Sequence, residues 1–180
     1  MFETFKINDM TYKKIAGNII LISIPNSFNE VNVANGCTAI YEKAFANCSK
    51  LETVSIPSSV KRIGYKTFCN CTNLKKVNLS EGLEYIDDSA FAGCTNLKEI
   101  TIPNTIHHIS LIAFEKFNNR NNSLEKIILP KQNWHLPGIE DFYISNKNII
   151  SDSKSLDELL DEGKSLRELS KIYNKKEIER

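Results

Sequence analysis

Three groups of residues in this chain have side chains capable of chemistry: five cysteines, an adjacent histidine pair and an adjacent aspartate pair. Cys48, Cys71 and Cys94 recur at one fixed interval. Side chains that recur on stacked strands lie about 4.8 Å apart, within the ~4.4–6.8 Å Cα separation a disulfide accepts. Distance therefore permits a bond. The regular interval instead predicts a row of parallel, inward-pointing thiols that stay reduced, and the odd count leaves no complete disulfide framework. Cys69-Asn70-Cys71 places two sulfurs together but lacks the second ligand pair a zinc site needs. His107 and His108 invite a metal or acid–base reading, but neighbours in a strand point to opposite faces and do not share one ion. Asp87-Asp88 reads as a turn rather than a calcium loop. No nucleophile elbow, zinc-protease helix or phosphate-cradling glycine loop is present. These residues predict no enzyme, no catalytic or metal-binding residue and no cofactor.

The cysteine interval is one column of a larger frame. Phe28, Leu51, Leu74 and Leu97 are spaced by 23 residues, as are Val31, Val54, Val77 and Ile100. Val33, Ile56, Leu79 and Ile102 keep the same spacing, as do Ile40, Ile63, Ile86 and Ile109, and Phe45, Phe68, Phe91 and Phe114. A repeat of this length means stacked units, each too small to bury its own core. Within a unit, Val54 and Ile56 alternate with polar residues as a short strand with one buried face. Pro57 ends that strand, having no N–H for the ladder. Val60 and Ile63 turn inward on the return leg, and Phe68 fills the far side. After Phe114 four residues are added before the frame resumes at Leu124, and the polar run Asn118–Ser123 predicts a bulging loop.

Four segments follow. Residues 1–24 form an N-terminal β-hairpin cap, with Ala16-Gly17-Asn18 as its turn. Residues 25–130 are the repeats, and residues 131–150 an irregular closing stretch. In residues 151–180, Ser155…Glu158 and Ser165…Glu168 are capping boxes for two short amphipathic helices. These helices predict a C-terminal α-helical cap.

The unit Cys48-x-x-Leu51-x-x-Val54-x-Ile56-Pro57-x-x-Val60-x-x-Ile63-Gly64-x-x-x-Phe68 resembles the BspA-like leucine-rich repeat. Residues 25–47, 71–91, 94–114 and 124–130 carry the pattern with substitutions. The resemblance implies a mainly β, right-handed leucine-rich-repeat solenoid with a sheet on each side. It also implies roles in adhesion or protein–protein recognition. The tail from Glu162 to Asn174 is similar to the first two helices of a resolvase-type helix-turn-helix, with only Lys175 to Arg180 left for a reading helix. It is read as an end cap, with DNA contact through the tail as the other reading.

If Val54 and Ile56 face inward, Thr53 and Ser55 face outward, with Glu30 and Asn32, Lys76 and Asn78, Glu99 and Thr101, and Lys126 and Ile128 as counterparts. This ribbon of small and mixed-charge side chains suits a protein partner recognised by shape and paired charge. Arg120 in the inserted loop and Trp134 are expected at its rim. A net charge of +1 and the absence of a basic, aromatic-studded stripe argue against nucleic acid on this face. No apolar run reaches the ~20 residues of a membrane span, and the N-terminus has no signal-peptide pattern. The expected place is therefore the cytoplasm, or the surface if the chain is an excised domain. The Asn-x-Ser/Thr matches at Asn47, Asn70, Asn78 and Asn121 are read as coincidence; the first two come from the repeat itself. The expected function is a non-enzymatic protein-binding module. The alternatives are an adaptor or inhibitor of a nucleoprotein complex, and a fragment of a surface adhesin.

Overall fold

The computed structural model describes residues 3–115 and 124–129. The chain begins as an antiparallel meander of β1 (Glu3–Ile7), β2 (Met10–Ile15) and β3 (Asn18–Ser23). Both turns are tight two-residue connections with positive φ at each central residue. Ala16 and Gly17 lie at 48° and 85°, and Asn8 and Asp9 at 47° and 63°. This geometry matches the twist of paired strands. Ala16-Gly17 is the expected hairpin turn, while Asn8-Asp9 adds a second that the sequence pattern did not single out. Met10, Tyr12 and Leu21 face inward and are buried, and the Phe5 and Tyr12 rings stack at 5.9 Å. The Tyr12 hydroxyl accepts a hydrogen bond from the Ala34 amide at 3.2 Å, tying the meander to the first coil.

From there the chain coils. One side carries β5 (Cys37–Ile40), β7 (Arg62–Ile63), β9 (Tyr85–Ile86) and β11 (His108–Ile109). These continue from β3 in parallel, so the meander and the return legs form one seven-stranded sheet. The other side carries β4 (Glu30–Asn32), β6 (Thr53–Ile56), β8 (Lys76–Leu79), β10 (Glu99–Thr101) and β12 (Lys126–Ile128). Val31, Val54 and Val77 pair in register across β4, β6 and β8. The four-residue insertion is absorbed between coils, because Glu99 pairs with Lys126 without loss of register. No helix occurs among the described residues. The helices expected in residues 151–180, the closing stretch 131–150 and the Asn118–Ser123 loop lie outside the described residues.

The corners explain the repeat's less obvious positions. In each corner alternate amides bond to the next coil: Phe45 to the Thr67 carbonyl, Phe68 to Ala90 and Phe91 to Ala113, at 3.0, 2.8 and 2.8 Å. The intervening amides close tight turns within the corner. This alternation requires two left-handed residues per corner. One column is Lys43, Lys66 and Ser89, with φ of 60°, 54° and 55°; the other is Asn47, Asn70 and Gly93, with φ of 63°, 65° and 75°. Asparagine and glycine tolerate this region best. The recurring sequons at Asn47 and Asn70 are thus turn chemistry. Asn70 also donates from Nδ2 to Asn47 Oδ1 at 3.2 Å. Gly93 is the last member of the column among the described residues, and the Asn70 Oδ1 atom is buried without a partner.

The core lies between the two sheets and into the corners. Phe45, Phe68 and Phe91 are fully buried. Phe68–Phe91 and Phe91–Phe114 stack with centroids 5.2 Å apart and planes 7° and 6° from parallel, and Phe45–Phe68 is tilted at 4.6 Å. Each such ring is worth about 1.5–3 kcal/mol in burial alone.

The ribbon side departs from expectation in one respect. Instead of one continuous sheet there are two, β4-β6-β8 and β10-β12. In the other coils two successive amides share the carbonyl one coil back: Glu52 and Thr53 on Asn29, Lys75 and Lys76 on Glu52, Glu125 and Lys126 on Lys98. No such pair joins Lys98 and Glu99 to Lys75. Lys75 and Lys98 occupy one column across this break, and like charges in register oppose pairing. Each instead reaches away from the seam: Lys75 to Glu52 at 2.8 Å, Lys98 to Glu125 at 2.6 Å.

Two glycines test how tightly coils are stacked. Gly82 has φ of +117°, and a Cβ there would sit 2.2 Å from the Ser58 carbonyl oxygen of the coil before. Gly64 closes a turn through its carbonyl, which accepts the Thr67 amide at 3.2 Å, but it has no positive φ and its Cβ would meet nothing nearer than 3.7 Å. Gly82→Ala is therefore expected to lower stability by about 2–3 kcal/mol, and Gly64→Ala to stay within about 1 kcal/mol of the parent. Urea titration of both variants distinguishes them; equal midpoints would contradict the close approach.

Candidate protein-binding faces and the thiol ladder

The ribbon residues emerge as the alternation predicts. Glu30, Asn32, Lys76, Asn78, Glu99, Thr101 and Lys126 are exposed, and Thr53 and Ser55 are half-buried, while Val54 and Ile56 between them are buried. Strand register aligns Glu30, Thr53 and Lys76 in one column and Asn32, Ser55 and Asn78 in the next. Asn78 Nδ2 donates to Ser55 Oγ at 3.0 Å, and Lys126 pairs with Glu99 at 3.3 Å. Arg120 and Trp134 lie outside the described residues. Exposed pairs of this kind contribute at most about 1 kcal/mol each to stability; their main effect is to set a charge pattern.

At the break between β8 and β10 the ribbon opens into a hollow of about 430 Å³. Its walls include Lys76, Asn78, Glu99 and Thr101, four of the residues marked by the repeat pattern, together with Lys75. Leu79 is half-buried at its edge, whereas its equivalents Val33, Ile56 and Ile102 are buried. The sequence pattern missed the column Glu52, Lys75, Lys98 and Glu125. The signal was present, since Glu52, Lys75 and Lys98 keep the repeat interval, Glu125 follows after the four-residue insertion, and the four read acid, base, base, acid.

The opposite sheet exposes Lys61, Arg62, Tyr85, His107 and His108, with Glu84 half-buried. The histidines do not alternate as strand neighbours, because β11 begins at His108 and both side chains are exposed. His107 meets the Tyr85 ring edge-on at 6.2 Å. Asp87 pairs with Arg62, and Asp88 accepts a hydrogen bond from the Ser110 hydroxyl. No group of three metal-ligating side chains is gathered among the described residues.

All five thiols are free and buried. Cys71 donates to the Phe45 carbonyl at 3.0 Å, and Cys94 to the Phe68 carbonyl at 3.2 Å. Cys48 begins the row and donates to Asn26 Oδ1 at 3.3 Å. Burial pushes the Cys71 and Cys94 thiols far up and Cys48 up to about 11. The thiolate, which is the nucleophile and metal ligand, is thereby suppressed.

A family model described as the BspA type leucine rich repeat region matches residues 25–139 in 6 copies. This chain belongs to that family. Solved relatives agree. A leucine-rich cell surface protein from Faecalibacterium prausnitzii is 34% identical, with a TM-score of 0.65 over 71% of this chain and 34% of its own. A leucine-rich repeat protein from Bacteroides capillosus is 30% identical, with a TM-score of 0.59 over 69% of this chain and 96% of its own. The pneumococcal vaccine antigen PcpA, 19% identical with a TM-score of 0.53, shares the fold over 81% of this chain and 47% of its own. This chain spans about a third of the Faecalibacterium protein. A search of curated proteins gives no match. Among the described residues of this repeat protein, no helix is long and apolar enough to cross a membrane.

The thiol ladder makes stability pH-dependent in a defined direction. An unfolded thiol ionises near pH 9, while the folded Cys48 thiol resists ionisation to about 11. The folded state binds more protons in this window, so the contribution is complete below about pH 8 and is lost as pH rises from about 9 through 11. Urea midpoints should fall over that range in the parent. They should fall less in Cys48→Ala, measured relative to that variant's own midpoint at pH 8.

Proposed function

We propose that this chain is a non-enzymatic protein-binding module whose partner docks on the β4-β6-β8 and β10-β12 face. The observation that carries this reading is the hollow at the sheet break, where Lys76, Asn78, Glu99 and Thr101 converge on one polar recess. Lys76 and Glu99 present opposite charges side by side, and a partner with the inverse pair gains both register and orientation. The rows above and below are held by backbone ladders, so little ordering is needed on docking. The coils take the right-handed sense that parallel crossovers adopt. Leucine-rich-repeat scaffolds serve typically as binding surfaces, and the site geometry offers no nucleophile paired with a base.

A second reading is favoured by one comparison. The Faecalibacterium relative is a cell surface protein, which supports an adhesin-like role for this chain outside the cell. The reading from sequence places the module in the cytoplasm, and buried thiols of this kind survive in either compartment. Fractionation of the source cells with surface protease treatment separates the two places.

The partner face is tested by the double charge reversal Lys76→Glu with Glu99→Lys. Partner capture from native lysate should weaken about tenfold or more, with stability changed by no more than about 1 kcal/mol. Undiminished capture by the folded variant would remove this face from consideration.

A further inference from the structure

The corner of the seven-stranded sheet carries a second recess, of about 480 Å³, on the side away from the proposed partner face. It spans neighbouring coils. Glu42 and Tyr65 come from successive corners, Arg62 and Tyr85 are register partners on β7 and β9, and His108 follows on β11. Asp87 and Asp88 close it at the next corner. Its size falls in the ~300–1,000 Å³ range of small-ligand sites.

Several of these side chains are held in place before any ligand arrives. Arg62 Nε donates to Asp87 Oδ2 at 2.6 Å, which fixes both groups and leaves the guanidinium's other donors and the second carboxylate oxygen available. Ser110 Oγ donates to Asp88 Oδ1, leaving the other oxygen of that carboxylate. The Arg62 guanidinium also lies 5.8 Å from the Tyr85 ring centre. Tyr65 and Tyr85 are 36% and 38% exposed, which leaves part of each ring open to a ligand.

The chemistry narrows the ligand. Glu42, Asp87 and Asp88 supply three negative charges. Arg62 supplies one positive charge, and the Lys43 and Lys66 amines, 5.8 and 4.9 Å from the Tyr65 ring centre, supply two more. The lining itself holds three carboxylates against one guanidinium and the two lysines stand beside it, so an anion is disfavoured and a cation only weakly drawn. Polar walls disfavour a purely apolar ligand. A bare metal ion is disfavoured because no three ligating side chains converge. What remains is a neutral molecule bearing many hydroxyls, each both donor and acceptor, with an apolar face for an aromatic ring.

We propose that this corner recess binds a neutral saccharide, with sugar hydroxyls bridging Arg62, Asp87 and Asp88 and a sugar C–H face resting on the exposed tyrosine rings. The site is independent of the proposed partner face. The sugar can come from a free glycan or from one carried on a glycoprotein.

The test uses the full chain, ¹⁵N-labelled and titrated with methyl glycosides of glucose, galactose, mannose and N-acetylglucosamine and with their neutral oligomers. At least one probe should shift amides confined to the corner around Arg62, Tyr65, Tyr85 and Asp88. Asp88→Asn and Tyr85→Ala, each confirmed folded by its thermal midpoint, should weaken that probe about tenfold, the scale of one lost charge-assisted hydrogen bond or aromatic contact. The Lys76→Glu/Glu99→Lys variant should bind the probe as the parent does. Absence of corner shifts from every probe overturns the proposal, as does unchanged affinity in both corner variants. A second arm captures a glycoprotein bearing the same sugar. Capture lost on enzymatic deglycosylation places the ligand on a protein, and no capture beside positive free-sugar binding points to a free glycan. Capture that survives deglycosylation yet is abolished by Tyr85→Ala overturns the saccharide assignment.

Discussion

Like stacks on like at a 23-residue interval, and the rest of the molecule follows from that constraint. A single coil of this length has two to four strand residues per side and cannot enclose a core. Its phenylalanine is buried because the same phenylalanine lies above and below it, at 4.6 to 5.2 Å. The corner backbone obeys the same rule, since alternate amides find their acceptors one coil on. This rule explains the left-handed Lys43, Lys66 and Ser89, a conformation with a steric cost that persists only where surrounding bonds require it. It also explains Gly82, whose coil approaches Ser58 too closely for any Cβ.

In-register stacking turns every surface position into a column, so surface charge becomes a structural matter. Opposite charges adjacent in a column are compatible with pairing, as Lys61 with Glu84 and Lys126 with Glu99 show, at 3.1 and 3.3 Å. Lys75 and Lys98 are adjacent and alike, and there the sheet divides. Core residues near the break stay in place: Ile100 and Leu97 remain buried. The break reaches inward to Leu79, which is half-buried where its equivalents are buried. It opens a polar recess while the hydrophobic column behind it holds the coils together.

Much of this was legible in sequence because the signal is repeated. Val54 and Ile56 could be assigned inward, and Thr53 and Ser55 outward, since each choice had to satisfy several coils at once. The four-residue insertion was legible for the same reason, and β12 resumes register beyond it. What escaped was whatever depends on one residue meeting a different residue in the next coil. The second N-terminal turn at Asn8-Asp9 lies outside the frame. Gly64 follows the family pattern and closes a corner turn, but the pattern does not show that Gly82, not Gly64, needs the missing Cβ. The sheet break required comparing Lys75 with Lys98 along a column rather than reading each unit by itself. The corner recess was hidden because Tyr65, Tyr85 and Asp87 fall at three different repeat positions and meet only when coils stack.

The cysteine column shows why chemically capable residues at a repeat position need not do chemistry. At this position the side chain is small, apolar enough for a fully enclosed site, and able to add a second hydrogen bond to a carbonyl of the coil before it. A thiol has all three properties. Cys71 and Cys94 each bond a phenylalanine carbonyl that also accepts a backbone amide of its own corner turn. Serine would offer a stronger donor but a costlier group to bury, and alanine would leave that interaction unmade. The same enclosure that makes cysteine suitable raises its pKa and removes the reactive thiolate. Packing therefore selects the residue and silences its chemistry together. Distinctive function in this solenoid then belongs to the exposed columns, where side chains differ from coil to coil.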